Sequence, residues 1–353
     1  MKYSLAGLAV TVVFLAPQCA LRAETAGDLV PGTGTWIEYV GDDFEDTSWG
    51  FIHNLPKSSR EQDQRLRSPT GRSTNDRWIE GPERGHPDHM KVVPTPPGGL
   101  PGSKHALLIR TLNSGIPGYN SYDVQQDDLI SNTISRLGMT ISASDMPSAV
   151  ARVYLPPADE WEDRSGPHFG FRISAAATVT KSTPGGFFGS RSSTELEPYW
   201  PGIWVHFRSK TDRRVEEDSA FLTIRGNRNG QDVRMKEIPA EDFGWWTFGM
   251  SVTPNGMVHY YAKKGVEELT AADHLTSQFP YSFSAQQFRT FFFNACNKND
   301  GKTWSTPFVI DDPKLYVVNS SRVAANVQRK MEREARRDAQ RNAKKQSSGK
   351  NRG

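Results

Sequence analysis

Cysteine is nearly absent from this sequence: its 353 residues include only Cys19 and Cys296. A disulfide framework is excluded once the N-terminal segment is removed, so stability must come from burial. Long apolar runs are scarce too. Leu5 to Ala16 is about half the length that spans a bilayer, and nothing later approaches the roughly 20 apolar residues of a transmembrane helix. The pairs Gly98-Gly99 and Gly185-Gly186 stand in no phosphate-loop pattern and read as turns, and no internal repeat is visible.

The ends carry clearer signals. Lys2, the short apolar run and Leu21-Arg22-Ala23 before Glu24 predict a signal peptide over 1–23, with an exported mature chain that has no transmembrane segment. Cys19 is preceded by Gln18, a large amide where a lipidated cysteine normally follows a small residue, so cleavage is expected instead of anchoring. Residues 322–353 hold eleven Lys and Arg against three acidic residues, a net of +8, while the body without the signal segment is at −7. The pI therefore describes neither part and gives no ground for a specific nucleic-acid partner. Val323 to about Ala343 predicts a helix whose stripe of Val323, Val327 and Met331 is too thin to dock firmly. The tail is expected to be a cationic arm for a polyanionic surface, or simply a solvated end.

Between His105 and Val318 short alternating or apolar runs recur, separated by Gly, Pro, Asn and Asp. This spacing predicts an all-β sandwich over 24–321. Expected strands include Ser148 to Leu155, His168 to Ala175, Gly202 to Ser209, Ala220 to Arg225 and Thr290 to Ala295. The segment 53–104 is dense in Pro, Gly, Arg and Asp and predicts a long excursion that could cover a groove. Trp245 to Tyr261 predicts a hairpin turning at Asn255-Gly256.

That hairpin, with Asp42-Asp43-Phe44-Glu45 and Trp49 near the start and Phe308 to Val318 at the end, resembles the concanavalin A-like lectin/glucanase superfamily, which includes laminin G-like domains. The resemblance implies a jelly-roll β-sandwich. It also implies that a structural calcium could tie the first and last strands through Asp43, Asp311 and Asp312, the alternative being that these are ordinary turn residues and no cofactor is bound. Catalytic glucanases of this group carry a Glu-x-Asp-x-Glu strand, which is absent here. Asp159 to Asp163 and Glu195-Leu196-Glu197 read as loop charge, His86-Pro87-Asp88-His89 as a polar loop, and Cys296 as a buried small residue.

Strand alternation selects a different set. Arg152 and Tyr154, His168 and Arg172, and Trp204, His206 and Arg208 each oppose apolar neighbours. If these strands adjoin, their shared face is a cationic, aromatic groove. Arg152, Arg172, Trp204 and Arg208 would then bind an acidic or sulfated glycan, since guanidinium engages carboxylate or sulfate bidentately. The bland alternative is a solvated face in which Arg stems cover Trp and each His is merely hydrogen-bonded. The preferred function is glycan binding outside the cytoplasm. One alternative is a polysaccharide lyase, resembling jelly-roll lyases in kind, with His168, His206 or Tyr154 moving the proton; a hydrolase is a weaker form of it. Another is an envelope protein-interaction scaffold, which would show a flat or convex surface.

Overall fold

The computed structural model describes residues 28–119, 126–183 and 191–350; the expected signal segment lies outside them. In chain order the strands are β1 (Thr35–Gly41), β2 (Phe51–Ile52), β3 (Arg72–Ser73), β4 (Trp78–Glu80), β5 (His89–Pro94), β6 (His105–Arg110) and β7 (Gln126–Ser131). They continue as β8 (Ile141–Ser142), β9 (Pro147–Leu155), β10 (Gly166–Thr183), β11 (Arg191–Tyr199), β12 (Gly202–Arg208), β13 (Ser219–Arg225) and β14 (Asp232–Pro239). The last are β15 (Gly244–Val252), β16 (Val258–Lys264), β17 (His274–Gln278), β18 (Gln287–Cys296) and β19 (Phe308–Val317). The α-helices are α1 (Arg60–Asp63), α2 (Thr133–Leu137) and α3 (Ser321–Lys350).

Two antiparallel sheets form a jelly-roll sandwich. The smaller has the order β17-β16-β15-β9-β19-β6-β5, with β1 also on β19. The larger runs β14-β13-β12-β10-β18-β7-β4-β3-β2, with β11 along the second half of β10 and β8 on β18. Period-2 alternation explains the core. Phe169, Phe171, Ile203, Val205, Phe291 and Phe293 of the larger sheet meet Ala151, Val153, Phe248, Met250 and Ile310 of the smaller in one continuous cluster. Arg172, Trp204 and Asn294 alternate with them on the outer face of the larger sheet.

The Trp-led hairpin forms, but its loop is wider than a two-residue turn. Gly256 N–H bonds to Thr253 O with Pro254 and Asn255 between, and Gly256 alone takes a positive φ, +81°. Pro254 favours the ordinary type I turn, and glycine then supplies the left-handed residue that returns the chain to β16.

Residues 53–104 are not a loose flap: they contribute β3, β4 and β5. Lys57, almost fully buried, lies 2.6 Å from Asp127 and 2.8 Å from Asp88. Glu80 accepts the backbone N–H groups of Ser58 and Gly71. Charges this deeply buried persist only when paired, so the clamp fixes the excursion against the edge of the larger sheet. Within His86-Pro87-Asp88-His89, His86 is buried against the carbonyls of Asn54 and Pro87, and Asp88 serves Lys57.

The expectation of an undocked tail needs correcting. Val323 is fully buried, Val327 packs on the core, and Asn326 Nδ2 donates to Leu137 O at 3.2 Å. Farther along α3, Glu334 accepts the hydroxyl of Tyr39, whose ring lies 3.8 Å from the Arg136 guanidinium carbon. The stripe is thin, yet α2 and Tyr39 provide a seat that propensity and moment alone do not reveal.

Candidate functional site

Register builds the site. One cross-strand row on the outer face of the larger sheet is Asp128 (β7), Asn294 (β18), Gly170 (β10), Trp204 (β12), Thr223 (β13). The next row is Ile130, Phe292, Arg172, Gly202, Arg225, Asp232. The two glycines create room. A Cβ on Gly170 would lie 3.0 Å from the Trp204 ring and 2.7 Å from Asn294 Oδ1; one on Gly202 would lie 2.5 Å from Arg172 Cγ. Trp204 therefore lies over β10, and the Arg172 stem lies over β12.

The Arg172 guanidinium is held between the rings of Trp204 and Phe292, at 5.2 and 5.3 Å, and Nη2 donates to Trp200 O at 2.8 Å. It is 6% exposed, its Nε has no hydrogen-bond partner, and no carboxylate among the described residues forms an ion pair with it, although the buried Asp128 attracts it through space. Burial, and then the charge of Arg225, lowers its pKa to about 10, so the cation persists at neutral pH. Arg225 also lies against the Trp204 ring, at 5.6 Å, and is fixed by a two-point bond to Asp232 at 2.8 and 3.1 Å. Asp128, whose pKa burial raises to about 6, is bonded to Asn294 Nδ2 and not to Arg172.

A cleft of about 720 Å³ opens above this floor. Arg60, Glu61 and Arg84 from the excursion form one wall, and Trp200, Tyr281 and Arg289 contribute to its lining. A smaller pocket of about 150 Å³, with Trp204 and His206 in its lining, shares Arg84 and Arg225 with the cleft, so the two adjoin as one groove. The surface is concave and carries more guanidinium than carboxylate.

The structure thus divides the residues that alternation had grouped. Arg172, Trp204 and His206 share the groove. Arg208 is on the same face but outside the groove lining, bound to Glu237 at 2.5 Å and set over Phe221. Arg152 and Tyr154 are on β9, in the smaller sheet: Arg152 bonds to Glu268 at 2.6 Å, and Tyr154 packs on Trp245. Alternation assigns a face but not a sheet, which is why they were grouped with the rest.

His168 fails for a different reason. A bulge interrupts the β10–β12 register between Pro167 and Phe169, and His168 turns inward against Trp161 and Phe207. Both ring nitrogens are engaged, by Thr306 Oγ1 at 2.7 Å and Arg164 O at 3.0 Å. Burial first, then Arg164, holds its pKa well below the ordinary 6.5. A depressed imidazole stabilises the fold fully above about pH 6.5; as pH falls below that, the unfolded chain takes up a proton the native chain refuses. Stability is expected to fall by about 1.4 kcal/mol per pH unit from this group. Urea melts from pH 7 to pH 5 should show that slope flattened in His168→Gln. Equal slopes in parent and variant would contradict the assignment.

The carboxylates expected to hold calcium do not converge. Asp43 is exposed and accepts the Glu45 N–H at 3.2 Å, while Asp312 pairs with Lys314 at 2.5 Å and Arg152 at 3.6 Å. Asp311 is buried, its pKa raised to about 6 by burial. With Asp312 already neutralised by two cations, this end of the sandwich lacks the cluster of free oxygens that calcium requires. Cys296 is buried as expected, and burial raises its thiol pKa to about 12.

Sequence reasoning missed Arg225, Asn294, Asp128, Arg84, Tyr281 and Trp200. For Arg225 the signal was present, since Phe221, Thr223 and Arg225 alternate against Ala220, Leu222 and Ile224. Arg84 and Tyr281 sit outside the strands, where no period marks them.

No family model matches the chain, and no curated protein matches it. Among solved structures it is similar to a carbohydrate esterase from the Shiga toxin-encoding bacteriophage phi24B, at 12% identity and a TM-score of 0.37, covering 76% of this chain and 99% of that one. It is also similar to alginate lyase AlyC3 in complex with dimannuronate, at 9% identity and 0.32, covering 60% and 74%. For an alginate lyase from Pseudomonas aeruginosa the figures are 11% and 0.32, covering 60% and 82%. Likeness of this degree is one of outline and carries no argument about what this chain binds.

Proposed function

We propose that the groove on the larger sheet binds an acidic polysaccharide, with Arg172 meeting a carboxylate or sulfate and Trp200 and Tyr281 offering aromatic surface to the sugar rings above the buried Trp204. One observation carries this reading: Arg172 is a buried cation at the floor of an open cleft that forms no ion pair with a described carboxylate, the buried Asp128 acting on it only through space. A buried charge that is only partly compensated costs free energy, and an arriving anion would offset that cost with charge-assisted hydrogen bonds. The concave surface argues against the flat protein-interaction scaffold.

A second reading, β-elimination of a uronate, is favoured by the position of His206 beside Arg225 and Trp204. In it the imidazole removes the proton next to an Arg-bound carboxylate. Against it stands the basicity of His206, whose pKa burial lowers to about 4, with Nε2 already hydrogen-bonded to Thr223 Oγ1 at 3.0 Å. A general base works best with a pKa near the working pH, so this imidazole is mismatched by about three units. Binding is therefore the better-supported activity. Uronate oligosaccharides titrated into the protein while absorbance of unsaturated uronates is followed should give saturable binding and a flat trace. A rising trace that disappears in His206→Ala would replace the binding reading with the lyase.

A further inference from the structure

On the opposite sheet, at the edge formed by β16 and β17, three side chains outside the groove meet. His259 is buried on β16, His274 opens β17, and Asp28 reaches them from the N-terminal segment. That segment is laid on the sheet by Ser251 Oγ donating to Leu29 O and by Val30 packing against Tyr261 and Leu269. The Asp28 carboxylate and one nitrogen of each imidazole lie within 4.8 Å of one another. Ser277 Oγ sits among them, 2.6 Å from Asp28 Oδ1, 2.7 Å from His259 Nδ1 and 2.8 Å from His274 Nε2.

Hydrogen bonding fixes which nitrogen of His259 carries the proton. Met257 N–H donates to Asn255 Oδ1 at 3.1 Å, so that oxygen is an acceptor, and Thr253 O–H donates to it at 2.8 Å. Thr253 Oγ1, its proton committed, must accept from His259 Nε2–H at 2.8 Å. Nδ1 of the neutral ring then presents a lone pair to Asp28 Oδ1, only 2.9 Å away. Ser277 has one proton and can satisfy only one of these two acceptors. With the ring neutral, the lone pair and the carboxylate face each other across a gap that a proton or a metal cation would bridge. An imidazole whose distal N–H is anchored by a hydrogen bond, so that the other nitrogen presents its lone pair, is in the tautomer and orientation that metal-bound histidine uses.

We propose that Asp28, His259 and His274 bind one divalent transition-metal ion of the zinc type, with the Ser277 hydroxyl or a solvent molecule as fourth ligand. Two imidazoles and a carboxylate suit a borderline cation and not magnesium, which favours an all-oxygen octahedron. The ion would clip the N-terminal segment to the sheet edge, and this site is independent of the glycan groove.

The test uses the full chain without a histidine tag, stripped with a chelator and titrated with zinc chloride by calorimetry. Cobalt(II) absorption provides a second reading of coordination. One zinc per chain is expected, with a rise in melting temperature that chelator reverses and magnesium does not reproduce. Asp28→Asn and His274→Ala, both at partly exposed side chains, should each weaken zinc binding at least tenfold while leaving the unliganded chain folded by circular dichroism. Absence of zinc binding, or a loss smaller than tenfold in either variant, would overturn the proposal.

Discussion

Arg172→Met is expected to lose at least thirtyfold in affinity for an acidic oligosaccharide while melting at or above the temperature of the parent chain. The two halves of this result have one cause. The guanidinium is nearly buried, donates one hydrogen bond to Trp200 O, and forms no ion pair with a described carboxylate, Asp128 attracting it only through space. Its removal relieves a desolvation cost that Asp128 and Trp200 O recover only in part, and methionine retains the stem that fills the space above Gly202. A bound anion loses its charge-assisted contact at the floor of the cleft, about 2–5 kcal/mol for a desolvated pair, which is thirtyfold or more. Calorimetric titration and a thermal melt of the same sample check both halves. A variant that unfolds at lower temperature and binds normally would make Arg172 a structural cover for Trp204 and remove it from the site.

Ending the chain at Ser320 is expected to lower stability by about 2–4 kcal/mol, whereas ending it after Arg341 should change it little. Full burial of Val323 contributes about 2 kcal/mol, and Val327 and the Asn326–Leu137 hydrogen bond add smaller amounts. The bond from Tyr39 to Glu334 closes the docked part; burial, reinforced by Glu334, raises the Tyr39 pKa to about 12. The Arg322–Asp145 pair at 2.6 Å has an exposed arginine and counts for little. Urea melts of the two truncations against the parent measure the difference. Equal midpoints for all three chains would mean that α3 rests on the sandwich without holding it, as its composition alone had suggested.

What the sequence revealed follows from period and composition. β9, β12, β13, β15, β16, β18 and β19 were legible because each alternates or runs apolar between Gly, Pro, Asn or Asp breaks. β7 was not, because it begins Gln126-Asp127-Asp128, and adjacent carboxylates argue against a buried strand. Its burial depends on Lys57, seventy residues earlier, reaching Asp127, a pairing that no local pattern encodes. The groove was half legible for the same reason. Alternation placed Arg172, Trp204 and His206 on a polar face, but the neighbours that make the face concave come from the excursion and from the segment around Tyr281. A single bulge removed His168, and the choice of sheet removed Arg152 and Tyr154. The calcium expectation failed because Asp312 turned toward Arg152 and Lys314 instead of toward Asp43.

The most direct test of the groove compares a uronate oligosaccharide with its carboxyl-reduced counterpart, identical in length and linkage, by calorimetry at low and at moderate salt. The acidic form is expected to bind at least tenfold more tightly, with quenching of tryptophan fluorescence that Trp200→Leu reduces, and with a difference that survives moderate salt because the Arg172 contact is buried. Equal affinity for the two forms would contradict recognition by a buried cation, as would a preference that vanishes at moderate salt.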